Sequence, residues 1–144
     1  MPVEGAHDII GDRAYATRPD VVSRFGGAAI EALLAGGVLP VIKHIPGHGR
    51  ARADSHLAMP VVEASWDDLV SSDFMPFGAL NDCPLAMTAH VVYTAIDADR
   101  PATTSRDVIE RVIRHAIGYD GCLMSDDLSM RALSGGLGDR AVDA

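Results

Sequence analysis

Val38-Leu39-Pro40-Val41-Ile42-Lys43-His44 is the stretch that sets the fold class: an apolar run that passes without a break into a lysine and a histidine. A run of that length reads as a buried strand. Upstream, Asp20 to Ala35 reads as a helix. Thr17 is its candidate cap, Pro19 suits the first turn, and Val21, Phe25, Ala28, Ala29 and Leu33 fall near one face before Gly36-Gly37 stops it. Downstream, Ser65 to Val70 reads as the start of a second helix, with Asp67 and Asp68 favourably placed in its first turn. Leu85 to Val92 reads as a second strand. A third helix is expected from about Arg106 to Ile117, capped by Thr104 or Ser105, with Val108, Val112 and His115 or Ala116 on one side and Gly118 at its end. Cys122-Leu123-Met124 is a third strand, ending in Ser125-Asp126-Asp127.

Apolar strands that alternate with helices argue for a parallel sheet with helical crossovers. Lys43-His44, His90 and Asp126 then all fall in or just past the carboxyl ends of their strands. In parallel α/β proteins that edge is where ligands bind.

The 144 residues make about one domain and can bury a sizeable core. At 48% hydrophobic and 22% charged the composition is that of an ordinary soluble globular protein. A net charge of −8 argues against a nucleic-acid partner, whose phosphates attract basic patches. No apolar stretch reaches the roughly 18 residues of a membrane span, and Met1-Pro2-Val3-Glu4 does not open a signal peptide. Cys83 and Cys122 lie in different segments without a CxxC, which reads as two reduced, buried thiols in a cytoplasmic protein.

The densest chemistry lies in Lys43 to His56: three histidines, a lysine, two arginines and an aspartate, with two glycines and a proline that make a loop. A solvated polar loop is the bland account. Within it, Asp54 and His56 have a sharper one: an aspartate two residues before a histidine accepts a bond from one ring nitrogen and raises the basicity of the other. Asp-x-His alone is a weak signal, and so is Ser125-Asp126-Asp127, where Asp127 would simply cap the segment after Leu128.

Taken together the motifs are specific. Lys43-His44-Ile45-Pro46-Gly47-His48-Gly49, then Asp54-Ser55-His56, then Met87-Thr88-Ala89-His90-Val91, then Ser125-Asp126-Asp127-Leu128-Ser129-Met130 resemble, in that order, bacterial β-N-acetylhexosaminidases of glycoside hydrolase family 3. Those are cytoplasmic enzymes of peptidoglycan recycling. The resemblance runs from the Gly11-Asp12-Arg13 segment to about Arg140.

The resemblance implies a (β/α)8 TIM barrel, of which residues 1–144 would be an internal, single-domain fragment from after strand four through strand seven. It implies retaining hydrolysis of terminal β-linked N-acetylglucosamine in muropeptides, through a covalent glycosyl-enzyme, with no cofactor. Asp126 matches the nucleophile, His56 the acid/base and Asp54 its partner. Lys43, His44 and Arg13 match residues that contact the sugar. His48 would order the loop and His90 would form a wall of the site. Ile45 stands where many relatives have phenylalanine, a conservative change. Retaining glycosidases normally use two carboxyl groups about 5–5.5 Å apart. An imidazole can replace one at neutral pH, its ordinary pKa being about 6.5. Asp54 would stabilise the imidazolium, as the orienting aspartate does in a hydrolase triad.

The segment would lack the strands that supply another sugar-holding aspartate and arginine, and the last strand of the barrel. It is therefore expected to be inactive alone. Two other readings compete. One is a truncated remnant with a sugar-binding or structural role. The other is a zinc-dependent hydrolase using His44, His48, Asp54 and His56, against which Lys43, Arg50 and Arg52 would set like charge.

Overall fold

The computed structural model describes residue 2, residues 11–51 and residues 59–144. Asp54 and His56 lie outside the described residues.

The α/β expectation holds. Three strands, β1 (Val41–Ile45), β3 (Leu85–Thr88) and β6 (Cys122–Met124), form a parallel sheet in the order β1-β3-β6. Lys43 pairs with Met87 and Met87 with Met124, so the three carboxyl ends are level. The first strand begins later than its apolar run predicts. Pro40, which has no N–H for the ladder, stands just before it, while Val38 and Leu39 are 53% and 62% exposed. Lys43 and His44 are therefore strand residues and not loop residues. The register slips between Lys43 and Ile45, a bulge centred on His44. Bulges of this kind re-aim a side chain and are common beside active sites.

Helix α1 (Pro19–Ala35) precedes β1 and packs on α3 (Met75–Ala79). Its N-cap is Arg18, without a side-chain cap bond, in place of the expected Thr17. Its inner face is also rotated from expectation. Gly26 is the buried position, and a Cβ there would lie 2.9 Å from Leu80 Cδ1, whereas Phe25 is 49% exposed. The close approach of α3 at Gly26 selects that face, which counting of large apolar residues overlooks. Gly37, at φ 77, ends the helix.

The second helical region starts where expected: Ser65 Oγ accepts from the Asp68 N–H at 3.2 Å. It runs through α2 (Trp66–Asp68) and a wider π-type turn (Leu69–Asp73) to α3. The third helical segment is π-type over Val108–Ala116, with the Ile117 N–H reaching back five residues to the Val112 carbonyl at 2.8 Å. Wider turns change the buried set to Val108, Val112, Ile113 and Ile117. His115 and Ala116, placed on the inner face by a 3.6-residue period, are exposed. Ser105 does cap this segment, its Oγ accepting from the Val108 N–H at 3.2 Å.

A second small sheet has no counterpart in the sequence reading. It pairs β2 (Val61–Val62) with β4 (Val92–Tyr93) in parallel and β4 with β5 (Asp97–Pro101) antiparallel. The expected strand Leu85–Val92 is thus divided: Leu85–Thr88 belongs to the main sheet, and Val92 opens the second. Two-residue strands carry no readable periodicity. The core is continuous through both sheets, from Ile42 and Ala86 through Ile45, Leu69 and Phe74 to Val91 and Tyr93. Both cysteines are free. Cys83 is buried, but Cys122 is exposed and not buried, because among the described residues β6 is an edge strand paired only with β3.

Candidate active site

The level carboxyl ends of the three parallel strands bring Lys43, His44, His90 and Asp126 to one edge of the sheet. A cavity of about 280 Å³ between α1, α3 and β1 reaches this edge at Lys43 and His44, while Asp126 and His90 lie outside its lining. Arg13, Lys43, His44, His48 and Asp73 supply much of its polar lining, and Ile30, Phe77 and Leu80 part of its apolar lining. Arg13 follows from the short 3-10 turn Gly11–Arg13.

Asp126 meets His44 across the sheet edge, Oδ2 to Nε2 at 3.4 Å, with both side chains largely buried. The other oxygen, Oδ1, accepts from the Asp127 N–H at 2.8 Å. One carboxylate oxygen is therefore fixed by main chain while the other faces an imidazole. Asp127 is arranged differently. It is exposed, and its Oδ1 accepts from the Ser129 N–H at 2.8 Å, closing a local turn. The capping role considered for Asp127 is what its side chain performs.

His44 is held neutral. Burial pushes its pKa down to about 4, with the charges of His48, Lys43 and Arg13 adding to the effect and Asp126 opposing it. The His48 ring meets that of His44 edge-on, centroids 5.6 Å apart. An uncharged imidazole can donate to Asp126 without forming a full ion pair that would hold the carboxylate back from a substrate. The same shift links stability to pH. Between about 6.5 and 4 the unfolded chain binds a proton at His44 that the folded chain refuses. The contribution is complete above 6.5 and lost as pH falls through about 4. It is on the order of 3 kcal/mol at about 1.4 kcal/mol per pH unit. Urea melts from pH 7 to 4 of the protein with its barrel complete should show this fall, and His44→Asn should remove most of it. Equal pH slopes in the two proteins would contradict a neutral, buried His44.

The loop after β1 is tied down before it leaves the described residues. Arg50 Nε donates to Asp73 Oδ2 at 2.6 Å, and Arg50 Nη2 to Ser72 Oγ at 2.9 Å. The Asp73 side chain is only 3% exposed. The buried Tyr93 hydroxyl donates to the Gly47 carbonyl. Burial raises the Tyr93 pKa well above its usual value, and the nearby Asp73 charge adds to the rise, so it stays a donor. On the far side, the Pro60 carbonyl accepts from the Val92 N–H at 3.0 Å. Both stems of the segment carrying Asp54 and His56 are thus fastened to the second sheet and to the helix after Ser65. Asp73 and Tyr93 escape a sequence reading, since nothing local marks their partners.

Residues 3–143 match the glycosyl hydrolase family 3 N terminal domain. The chain belongs to this family. A β-hexosaminidase of Tolumonas auensis is 38% identical over 149 residues, covering 100% of this chain and 44% of that protein. The solved family 3 β-N-acetylglucosaminidase from Paenibacillus superposes with a TM-score of 0.92 at 35% identity, covering 99% of this chain and 28% of its own. NagZ from Neisseria gonorrhoeae, in complex with N-trifluoroacetyl-D-glucosamine, gives 0.87 at 35% identity, covering 99% of this chain and 42% of its own. The same Neisseria protein has also been solved with a zinc ion. This family 3 chain therefore spans less than half the length of the relatives it matches.

Proposed function

We propose that these residues belong to a retaining β-N-acetylglucosaminidase that removes terminal β-linked N-acetylglucosamine from cell-wall muropeptides in the cytoplasm. The observation that carries the reading is Asp126. It stands at a strand's carboxyl end, with Oδ1 held by the Asp127 N–H and Oδ2 facing neutral His44. The order of the four motifs and the names of the relatives support the same reading. In this account β1, β3 and β6 are strands five, six and seven of a (β/α)8 barrel, and residues 1–144 are part of its single domain. The substrate is a small carbohydrate; neither nucleic acid nor membrane is a partner. Among the described residues no helix is long and apolar enough to cross a membrane.

In the chemistry, Asp126 attacks the anomeric carbon while His56 gives its proton to the departing glycosidic oxygen, and the carbon–oxygen bond breaks. Asp54 stabilises the imidazolium before the transfer. Water then attacks the glycosyl ester, His56 takes its proton, and Asp126 leaves as carboxylate. Arg13, Lys43 and His44 hold the sugar.

Zinc chemistry is the weaker alternative. Of the four donors that reading would use, His44, His48, Asp54 and His56, the last two lie outside the described residues, and the Lys43 and Arg13 charges that act on His44 would oppose a dication there. Stoichiometric zinc whose removal abolishes turnover would replace the glycosidase reading of this loop.

Joined to the remaining barrel strands, the chain should hydrolyse aryl β-N-acetylglucosaminides with retention, read by proton NMR of the first-formed sugar. Inversion would overturn the mechanism. By itself the 144-residue chain is expected to show no turnover and no sharp thermal melt. Among the described residues its parallel sheet has two unpaired edges, β1 and β6, and Leu33, Leu34, Val41 and Leu137 are exposed. A cooperative melt with activity would show that the chemistry needs less of the barrel.

A further inference from the structure

His90, expected to form a wall of the site, is 1% exposed and stands behind it. Both ring nitrogens are occupied. Nε2 lies 3.0 Å from the Asp127 carbonyl oxygen, and Nδ1 lies 2.7 Å from Thr103 Oγ1. A carbonyl only accepts, so Nε2 carries a proton and donates. With that proton on Nε2, Nδ1 accepts, so the Thr103 hydroxyl donates to it rather than to the Ala89 carbonyl 3.2 Å away. Thr88 Oγ1, 2.8 Å from Thr103 Oγ1, braces the ring's support from the end of β3.

The bond to Asp127 matters because of what Asp127 does next. Its carbonyl is held by His90, and its N–H is the group that fixes Asp126 Oδ1 at 2.8 Å. The contacts run in one line: Thr103, His90, the main chain of Asp127, the Asp126 carboxylate, His44. The turn after β6 is otherwise tied mainly to its own residues and to Arg140, whose guanidinium donates to the Leu128 and Met130 carbonyls at 2.7 and 3.0 Å. Those bonds fasten the far side of the turn, and the His90 bond grips it beside Asp126.

We propose that His90 is a positioning residue, which sets the attack direction of the Asp126 carboxylate by gripping the peptide that comes after it. Thr103 holds His90 in the orientation that makes the grip. The inference rests on the reading of Asp126 as nucleophile. A misplacement of about 1 Å in a reacting group can cost about 10²-fold in rate, so a donor one residue removed from the carboxylate has that much leverage.

The test uses the protein with its barrel complete and a 2-fluoro sugar that traps the glycosyl-enzyme, with labelling rate as the readout. His90→Phe keeps a ring and removes the donor, and should slow labelling of Asp126 about 10²-fold. The KM for an aryl glycoside should change far less than kcat. His90→Gln restores an N–H at similar reach and should recover most of the rate. Thr103→Val, which leaves the donor but not its brace, should slow labelling by about tenfold, at 1.4 kcal/mol per tenfold, while still melting cooperatively. If His90→Phe does not fold, the Gln and Val variants decide the matter. Labelling at the wild-type rate in folded His90→Phe or Thr103→Val would overturn the proposal, as would His90→Gln falling as far as His90→Phe. Wild-type protein that labels at Asp127, or not at all, would instead sink the nucleophile assignment.

Discussion

Asp126→Ala should abolish turnover of aryl β-N-acetylglucosaminides in the completed barrel, while Asp127→Ala leaves measurable activity. The expected loss at Asp126 is about 10⁴-fold or more, the scale seen when a covalent nucleophile is deleted. The two neighbours differ in geometry, not in chemistry. The Asp126 carboxylate points at His44 with one oxygen pinned by main chain, whereas the exposed Asp127 carboxylate closes the turn at Ser129. Removing Asp127's side chain leaves its N–H and carbonyl in place, so the bonds to Asp126 and His90 survive. A trapped 2-fluoro glycoside should be found on Asp126 by peptide mass mapping. Finding it on Asp127 would show that the turn is read the wrong way round.

His56→Ala should cost most when the leaving group is poor. A nitrophenolate departs without a proton, whereas a sugar alkoxide needs one. Loss of the acid should therefore slow disaccharide cleavage by about 10²–10⁴-fold and nitrophenyl glycoside cleavage by much less. Asp54→Asn should act in the same direction more weakly, because it removes the partner of the imidazolium and keeps the imidazole. Equal losses on both substrates would make His56 a residue that only positions sugar. The anchors at Arg50–Asp73 and Pro60–Val92 sharpen this expectation, since they fasten both ends of the segment that carries the pair.

The parts of this molecule legible in the sequence are those whose signal is local. Cys122–Met124 is found at its predicted limits because three apolar residues meet a Ser-Asp-Asp turn at once. The ends of the apolar runs place Lys43, His44 and Asp126 at one sheet edge, and level registers bring them there. Period and approach are what mislead. The inner face of Val108–Ala116 shifts because its turns are wider than an α-helix's, and that of α1 shifts because Leu80 presses on Gly26. Thr103 and Asp73 gain their roles from partners 13 and 23 residues away, His90 and Arg50, with no spacing rule to suggest either pair. The assignments of Asp54 and His56 come from resemblance to the family, with Asp-x-His spacing only a weak local hint.

Gly47 stands at φ 145, with Asp73 Cβ 3.1 Å from where its own Cβ would be. A side chain at 47 is excluded twice, by backbone conformation and by the helix opposite. Truncating Asp73 to alanine would leave that Cβ in place and take the carboxylate from the Arg50 guanidinium, and moving the turn would pull the Gly47 carbonyl from Tyr93. Sequence drift at these four positions is consequently tied together. Single steps from the present combination lead downhill in stability, so homologues that differ at one of the four should differ at others as well, and libraries built to vary this loop should keep 47, 50, 73 and 93 as one unit.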